Sequence, residues 1–445
     1  MKKAAALLIV IVLLGASAAA AAEEADAPAE FADRIISETA ILIDVGTGQI
    51  LFEKDMHMQM RPASITKVMT ALLALENGDM GDIIIMTHEA VSTLGEGAAN
   101  ISLAADEELT LEQAMYAMSL SSANDASNGV AEHIGGTIEG FIALMNDRAR
   151  ELGAMNTNFE NSHGMPNDDH LSTAYDMALI TIAAINTPGF TEIFSALEYE
   201  MPPTNIYESP RLFRARNPMM SGDYIYEGII AEKTGWTRSS QHTLVTAAER
   251  DGRTLVAVVI KSPMMIDKYE DMTLLLDYGF DGFEFLTFTA EELSRRDYSL
   301  KAAGGDEITV DITAEEGFRF LAPKGVTKSD VDIRYTLESE VLDRELIVSA
   351  KFSLDARRHL PAYAELGEIM LTAILTGPYG EHIPDGAETG GEQGGSGSPG
   401  IYEIGAKRMT IPAISVTAGI LSLNCLVLFI LLSLFRRKPR STNEK

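Results

Sequence analysis

The chain has 445 residues, 46% hydrophobic and 22% charged, enough for two or three domains with real cores and too apolar for a disordered chain. Its 65 acidic residues against 35 basic ones give a net charge of −30, which argues against general nucleic-acid binding, since that runs on Lys and Arg contacts to phosphate. A single cysteine excludes a disulfide framework, and no Cys/His cluster has zinc-ligand spacing.

In chain order, Lys2 and Lys3 precede an apolar run, Ala4–Gly15, and then small residues, the layout of a secretory signal. Residues 1–22 are therefore expected to be a signal peptide. From 35 to 56 apolar and polar residues alternate around Gly46-Thr47-Gly48, which predicts a β-hairpin. Pro62 suits a first helical position, with Val68, Met69, Leu72, Leu73 and Leu75 on a buried face. Helical patterns recur at 111–134, 138–152 and 173–186. Strand patterns follow at 241–249 and 253–261, joined by a turn at Asp251-Gly252, and a helix is expected at 266–279. This order predicts an α+β domain over 33–285, an antiparallel sheet with helices against it. Residues 287–376 carry short β-rich runs (DEITVDI, DVDIRYTL, RELIVSAKFSL, EIMLTAIL) and are read as a small β-rich domain.

Residues 377–408 include GGEQGGSGSPG and read as a flexible linker. Within 409–435, the 25 residues Ile411 to Phe435 carry no charge. At ~1.5 Å per residue they can cross a ~30 Å hydrocarbon core. Arg436, Arg437, Lys438 and Arg440 follow, so 436–445 is expected to be a cytoplasmic tail. The expected topology is a single-pass protein of the cell membrane with its folded part outside.

Three motifs occur in order: Ser64-Ile65-Thr66-Lys67 at the predicted helix start, Ser122-Ala123-Asn124 at the end of an apolar helical run, and Lys233-Thr234-Gly235 leading into the strands. Alone a Ser-x-x-Lys is expected by chance; the ordered trio is specific. The chemistry it suits is acyl transfer. A serine hydroxyl is a weak nucleophile until a base removes its proton. Three residues along a helix put Lys67 one turn from Ser64, on the same face. A partly desolvated lysine beside another cation can lose its proton near neutral pH and serve as that base. Lys233 supplies the neighbouring cation and a seat for a substrate carboxylate. Ser122 can relay the proton to the leaving nitrogen, and Asn124 can orient the lysine and the substrate amide. Backbone N–H groups of Ser64 and Trp236 are the expected oxyanion donors.

Around these motifs the sequence resembles the low-molecular-weight penicillin-binding proteins, the serine-type D-alanyl-D-alanine carboxypeptidases. The resemblance runs through AILIDVGTGQILFEKD, RPASITKVMTALLALE, SSANDASNGVAEHIGG and MNDRARELGAMNTNFENSHGMPNDDHLSTAYDMAL, roughly residues 35–285. It implies the β-lactamase/penicillin-binding-protein-like transpeptidase fold and hydrolysis of the terminal D-Ala from peptidoglycan stem peptides through an acyl-enzyme on Ser64. It implies acylation by β-lactams; separately, no metal or other cofactor is expected. It places Lys233, Thr234, Gly235 and Trp236 at the substrate and adds Arg216, of an Arg-Asn pair, as a candidate for the substrate's terminal carboxylate. His163-Gly164 and Asp176 match an element bordering the family's site. Three departures stand out: Ala123 where the family usually has Gly, a longer approach to Lys233, and Trp236-Thr237-Arg238-Ser239-Ser240 after it.

Rival readings remain. A DD-endopeptidase would use the same residues. A class A β-lactamase would need a deacylating glutamate, for which Glu160 is the candidate. A non-catalytic penicillin-binding sensor or wall-binding protein would not need the intact motifs. A metal site at His163, Asp168, Asp169 and His170 competes with an ordinary turn there.

Overall fold

The computed structural model describes residues 28–376 except 96, 302–306, 339–344 and 355–364. The expected signal peptide, linker, membrane helix and tail lie outside the described residues. Among the described residues, no helix is long and apolar enough to cross a membrane.

Strands β1 (Thr39–Asp44) and β2 (Ile50–Lys54) form the expected hairpin. Its turn is closed by Asp44, whose Oδ1 accepts from the Thr47 amide and hydroxyl at 2.8 Å each. The chain then makes a 3-10 turn, Ala63–Thr66, before helix α1 (Lys67–Asn77). Strands β3 (Ile83–Ile85) and β4 (Glu108–Thr110) pair as a small ribbon ahead of helix α2 (Leu111–Ser121). Thr110 and Gln113 close a reciprocal capping box at its start.

The run expected as helical over 111–134 is two helices. Ser122 adopts φ 53, ψ 34, a left-handed cap that stops α2, and helix α3 (Asn124–Gly135) restarts two residues later. Helices α4 (Ile138–Glu151) and α5 (Ala174–Ile185) follow, each N-capped by a threonine, Thr137 and Thr173. Strands β5 (Glu198–Met201) and β6 (Arg211–Arg214) pair with each other. Strands β7 (Ile229–Thr237), β8 (Gln241–Arg250) and β9 (Arg253–Ser262) then lead to helix α6 (Asp267–Gly282).

The main sheet has the order β2-β1-β9-β8-β7, antiparallel throughout, so the early hairpin pairs with the late strands as expected. Successive side chains of a strand point to opposite faces, and here both faces are covered. Ile41, Ile43, Val256, Val258 and Ile260 enter one core with α1 to α5; Ala40, Leu42, Leu255, Ala257 and Val259 enter a second with α6. Each Val, Leu or Ile side chain so removed from water contributes about 1.5–3 kcal/mol. The apolar runs of β1 and β9 follow from this two-sided burial. One of the sheet's two edges is β7, and that edge carries Lys233-Thr234-Gly235.

Strands β10 (Phe283–Phe288), β11 (Arg295–Lys301), β12 (Glu307–Thr313), β13 (Phe318–Pro323), β14 (Val331–Leu337), β15 (Glu345–Leu354) and β16 (Glu365–Thr376) make up the β-rich part. A second five-stranded sheet has the order β11-β12-β16-β15-β14, and β10 pairs with β13. The boundary expected at 285–287 falls inside β10. The second core continues from Leu276 and Phe283 to Phe320 and Phe352 without a break, and the described residues belong to one compact unit.

Candidate active site

Ser64 sits in the second position of the 3-10 turn, half-buried, and two glycines hold that turn in place. Ala63 has φ 53, a left-handed conformation that a residue with a Cβ rarely adopts. Gly164, itself at φ 87, lies so close that a Cβ there would stand 1.8 Å from the Ala63 carbonyl oxygen. From the other side, a Cβ on Gly235 would lie 2.8 Å from the Ser64 nitrogen and 2.3 Å from Thr243 Oγ1. Thr243 also donates to the Pro62 carbonyl at 2.9 Å. The Ser64 turn is thus clamped between the loop at 161–165 and the β7–β8 ribbon.

Lys67 is fully buried at the first position of α1. Its ammonium donates to Ser64 Oγ at 3.2 Å, to Asn124 Oδ1 at 2.6 Å and to the His163 carbonyl at 2.9 Å. All three donor directions of an ammonium are used. Burial holds its pKa well below the ordinary lysine value, and the Lys233 charge depresses it further; Asp125 opposes both. The geometry places a lysine able to be neutral against the serine hydroxyl it would deprotonate.

Asn124 opens α3 directly after the break at Ser122, and its amide donates to the Ala99 carbonyl at 2.8 Å. Asp125 accepts from the amides of Leu103 at 3.0 Å and Ile101 at 3.1 Å, which fastens the 99–103 loop to the helix start. Ser122 is half-buried, and its hydroxyl makes no hydrogen bond among the described residues, so it remains available to a substrate atom.

Lys233 is 2% exposed and donates to the Thr234 carbonyl at 3.0 Å. Burial lowers its pKa, and Glu232 next to it works in the opposite direction. Trp236 is 61% exposed at the end of the strand, its ring 6.2 Å from that of His242. Arg216 is exposed and makes no hydrogen bond or ion pair among the described residues. Its neighbour Asn217 is buried and caps the short helix Pro218–Ser221. Ser64, Lys67 and Asn124 are therefore brought into direct contact, Lys233 acts on Lys67 through its charge, and Arg216 stands outside this network.

The loop between α4 and α5 supports the site from behind. His170 Nδ1 accepts from the Glu160 amide at 3.0 Å, which leaves Nε2 to donate to Thr66 Oγ1 at 2.9 Å. His163 Nδ1 accepts from the Met165 amide. Burial together with the Lys67 charge pushes both imidazoles down to about 3, so they are neutral. Asp176 accepts from the Asn156 amide and the Thr157 hydroxyl. With both nitrogens of His170 engaged and Asp168 paired to Arg61 at 2.8 Å, this segment has the bonding of a structural loop. Among the described residues no group of three His, Cys, Asp or Glu could hold a metal ion. Glu160 is exposed and accepts from Asn158 at 2.8 Å.

The family model for D-alanyl-D-alanine carboxypeptidase, peptidase S11, matches residues 22–264. The chain belongs to that family. DacF of Bacillus subtilis (strain 168), a D-alanyl-D-alanine carboxypeptidase, is 30% identical over 304 residues, 66% of this chain and 75% of its own length. DacA of Escherichia coli (strain K12) is 26% identical over 338 residues, 73% and 81% of the two chains. Among solved structures, the D-alanyl-D-alanine carboxypeptidase DacD from Francisella tularensis shares the fold with a TM-score of 0.61 at 20% identity, over 76% of this chain and 92% of that one. A mutant of the Streptomyces K15 DD-transpeptidase gives 0.52 at 26% identity, over 56% and 98%.

Proposed function

We propose that this chain is a serine-type D-Ala-D-Ala carboxypeptidase that removes the terminal D-alanine from peptidoglycan stem peptides. Ser64 Oγ attacks the carbonyl carbon of the penultimate D-Ala while Lys67 takes the hydroxyl proton. The negative charge that develops on the carbonyl oxygen falls to the Ser64 and Trp236 amides. Ser122 passes a proton to the departing nitrogen, D-alanine leaves, and water then hydrolyses the ester on Ser64. Lys233, with Thr234, receives the substrate's terminal carboxylate, Gly235 admits the substrate close to Ser64, and Arg216 is a candidate second cation for that carboxylate. β-Lactams present the same reacting amide beside a carboxylate and acylate the same serine.

The observation that carries this reading is the buried Lys67 ammonium bonded at once to Ser64 and Asn124, with Lys233 as its neighbouring cation. Membership of the peptidase S11 family supports the substrate. The test is product analysis with a stem pentapeptide ending in D-Ala-D-Ala. Free D-alanine and tetrapeptide are expected, and Ser64→Ala should release none. Cleavage of a cross-linked dimer with no cleavage of the pentapeptide would make the protein an endopeptidase instead.

The location belongs to the same proposal. The charged and apolar layout of residues 1–22 supports export, and the uncharged Ile411–Phe435 run followed by four basic residues supports one membrane helix over 409–435. The catalytic part then works outside the membrane, where peptidoglycan lies.

A further inference from the structure

The loop ahead of β4 touches the active site on one side and the β5–β6 hairpin on the other. Helix α3 starts without a side-chain cap, because its cap position is Ala123. Residues 99–103 fill that role. The Asn124 amide donates to the Ala99 carbonyl at 2.8 Å, and Asp125 accepts from the Ile101 and Leu103 amides at 3.1 and 3.0 Å. Asn124 Oδ1 in turn accepts from the Lys67 ammonium at 2.6 Å. The place of Asn124, and with it the aim of Lys67, therefore depends on where this loop lies.

The loop's shape is imposed partly from outside. Ser102 and Asp106 have φ of 58 and 65, a left-handed conformation that residues with a Cβ keep only where their surroundings enforce it. The hairpin supplies the contacts. Tyr207 donates its hydroxyl to the Ser102 carbonyl at 3.0 Å. Asn205 accepts from the Glu108 amide and donates to the Asp106 carbonyl, both at 2.8 Å. Arg211, the first residue of β6, pairs with Glu107 through one guanidinium nitrogen and donates from the other to the Ile101 carbonyl at 3.3 Å. Glu107 is 0% exposed and also accepts from the Ala104 amide and the Thr204 hydroxyl, each at 3.0 Å.

These contacts converge on Arg211 and Glu107, which lie 104 residues apart in the chain. A carboxylate wholly out of water needs a partner charge, and Arg211 is its ion partner among the described residues. The guanidinium fork reaches the Glu107 carboxylate and the Ile101 carbonyl at once, which a point-charge ammonium cannot match. Ile101 is thereby held at both ends, its amide by Asp125 and its carbonyl by Arg211. Arg211 also lies over the Tyr207 ring, 5.0 Å from its centre, so the residue bonded to Ser102 is tied to the same cation.

We propose that Arg211 and Glu107 are positioning residues: their buried ion pair holds residues 99–103 against the start of α3 and so keeps Asn124 where it orients Lys67. The proposal rests on the reaction given above, in which Lys67 deprotonates Ser64. Neither residue touches the substrate or the reacting atoms; both act through the loop.

The test is the kinetics of Ser64 acylation by penicillin in the full chain, well below the melting temperature of every variant. Arg211→Met should lower the saturating acylation rate about tenfold, since a misplacement of about 1 Å can cost about a hundredfold. The half-saturating concentration should change by less than about threefold. The reason is that the carboxylate seat lies on β7, and the hairpin base before Arg216 is held separately by the Ala215 amide on the Leu197 carbonyl at 2.7 Å. Arg211→Lys keeps the charge and should recover about threefold of the loss. Glu107→Gln, which keeps the volume, should lose rate in the same way. Added to Arg211→Met it removes a stranded buried charge and should not deepen the loss. Arg148→Met is the control: it breaks the 2.7 Å pair between α4 and Glu76 at the far end of α1 and should leave the rate unchanged. Unchanged saturating rates in folded Arg211→Met and Glu107→Gln would overturn the proposal. An equal loss in Arg148→Met, or a loss confined to the half-saturating concentration, would overturn it too. If Ser64 of the unaltered chain is not acylated, the underlying reaction is wrong; if it is acylated and the variants match it, only the roles of Arg211 and Glu107 fall.

Discussion

Lys67 and Lys233 are the same side chain in similar burial, and they differ in what surrounds them. Lys67 spends its donors on Ser64, Asn124 and a backbone carbonyl, and lies next to a cation. Lys233 makes one bond, to the Thr234 carbonyl of its own strand, and the charge of Glu232 opposes the lowering of its pKa by burial. Lys67→Arg should therefore be nearly inactive, by about 10²–10⁴-fold, because a guanidinium stays protonated and cannot act as base. Lys233→Arg keeps the charge and should lose only about tenfold to hundredfold through imperfect geometry. Equal loss of acylation rate in both variants, measured by penicillin labelling, would show that the roles are divided wrongly. Ser64, Lys67 and Asn124 are legible in the sequence because each stands in a short motif with a fixed spacing. Asp125 and Thr243 are not, since their roles depend on contacts between distant segments, such as the Lys67–His163 bond, which spans 96 residues; Gly164 is marked by the resemblance, but its packing against Ala63 is not. The positive φ at Ala63 is likewise invisible in a sequence, as is the close packing of Gly164 against that residue's carbonyl.

At the scale of elements, the hairpin, α4, α5, β8 and β9 follow the periodicities that predict them, because each buries a regular stripe or face. The exceptions gather at the site. The helix expected from Pro62 begins as a 3-10 turn, and the helix expected to cross Ser122 is broken there. Both irregularities place a serine hydroxyl at an element's end, and helical periodicity carries no signal for them. The loop between α4 and α5 shows the same limit: its Asn, Asp and Gly residues announce a turn, but its buried histidines matter through α1. That loop gives a pH prediction. His163 and His170 have folded pKa values of about 3 against an unfolded value of about 6.5. Below pH ~6.5 the unfolded chain takes up protons that the folded chain refuses, so stability falls as the pH drops. Each histidine contributes about 1.4 kcal/mol per pH unit in that window. Buried carboxyls with raised pKa, such as Asp125 and Asp176, act in the opposite sense, so the decline over pH 6.5 to 5 is compared with that of His170→Gln, which leaves them in place. The urea midpoint should fall across that window, and His170→Gln should flatten the decline. A decline of the same slope in that variant would contradict neutral, buried His170.

For the whole molecule, the antiparallel sheet with helices against it is legible because the strands bear two-sided apolar runs that leave few alternatives. The domain boundary is not legible, because the core that α6 covers continues into the second sheet through Phe283 and Phe320, and composition does not change where β10 begins. The proposed topology has its own consequence. Protease added outside wall-free cells should cut within 377–408 and release an active soluble fragment; full protection would contradict an external catalytic part. The proposed chemistry turns on one serine. Peptide mass mapping after penicillin treatment tests it most directly: a single acyl adduct on the peptide containing Ser64, absent from Ser64→Ala, is the expected result. An adduct on any other serine, or an unmodified chain at saturating penicillin, would contradict the mechanism built on Ser64, Lys67 and Lys233.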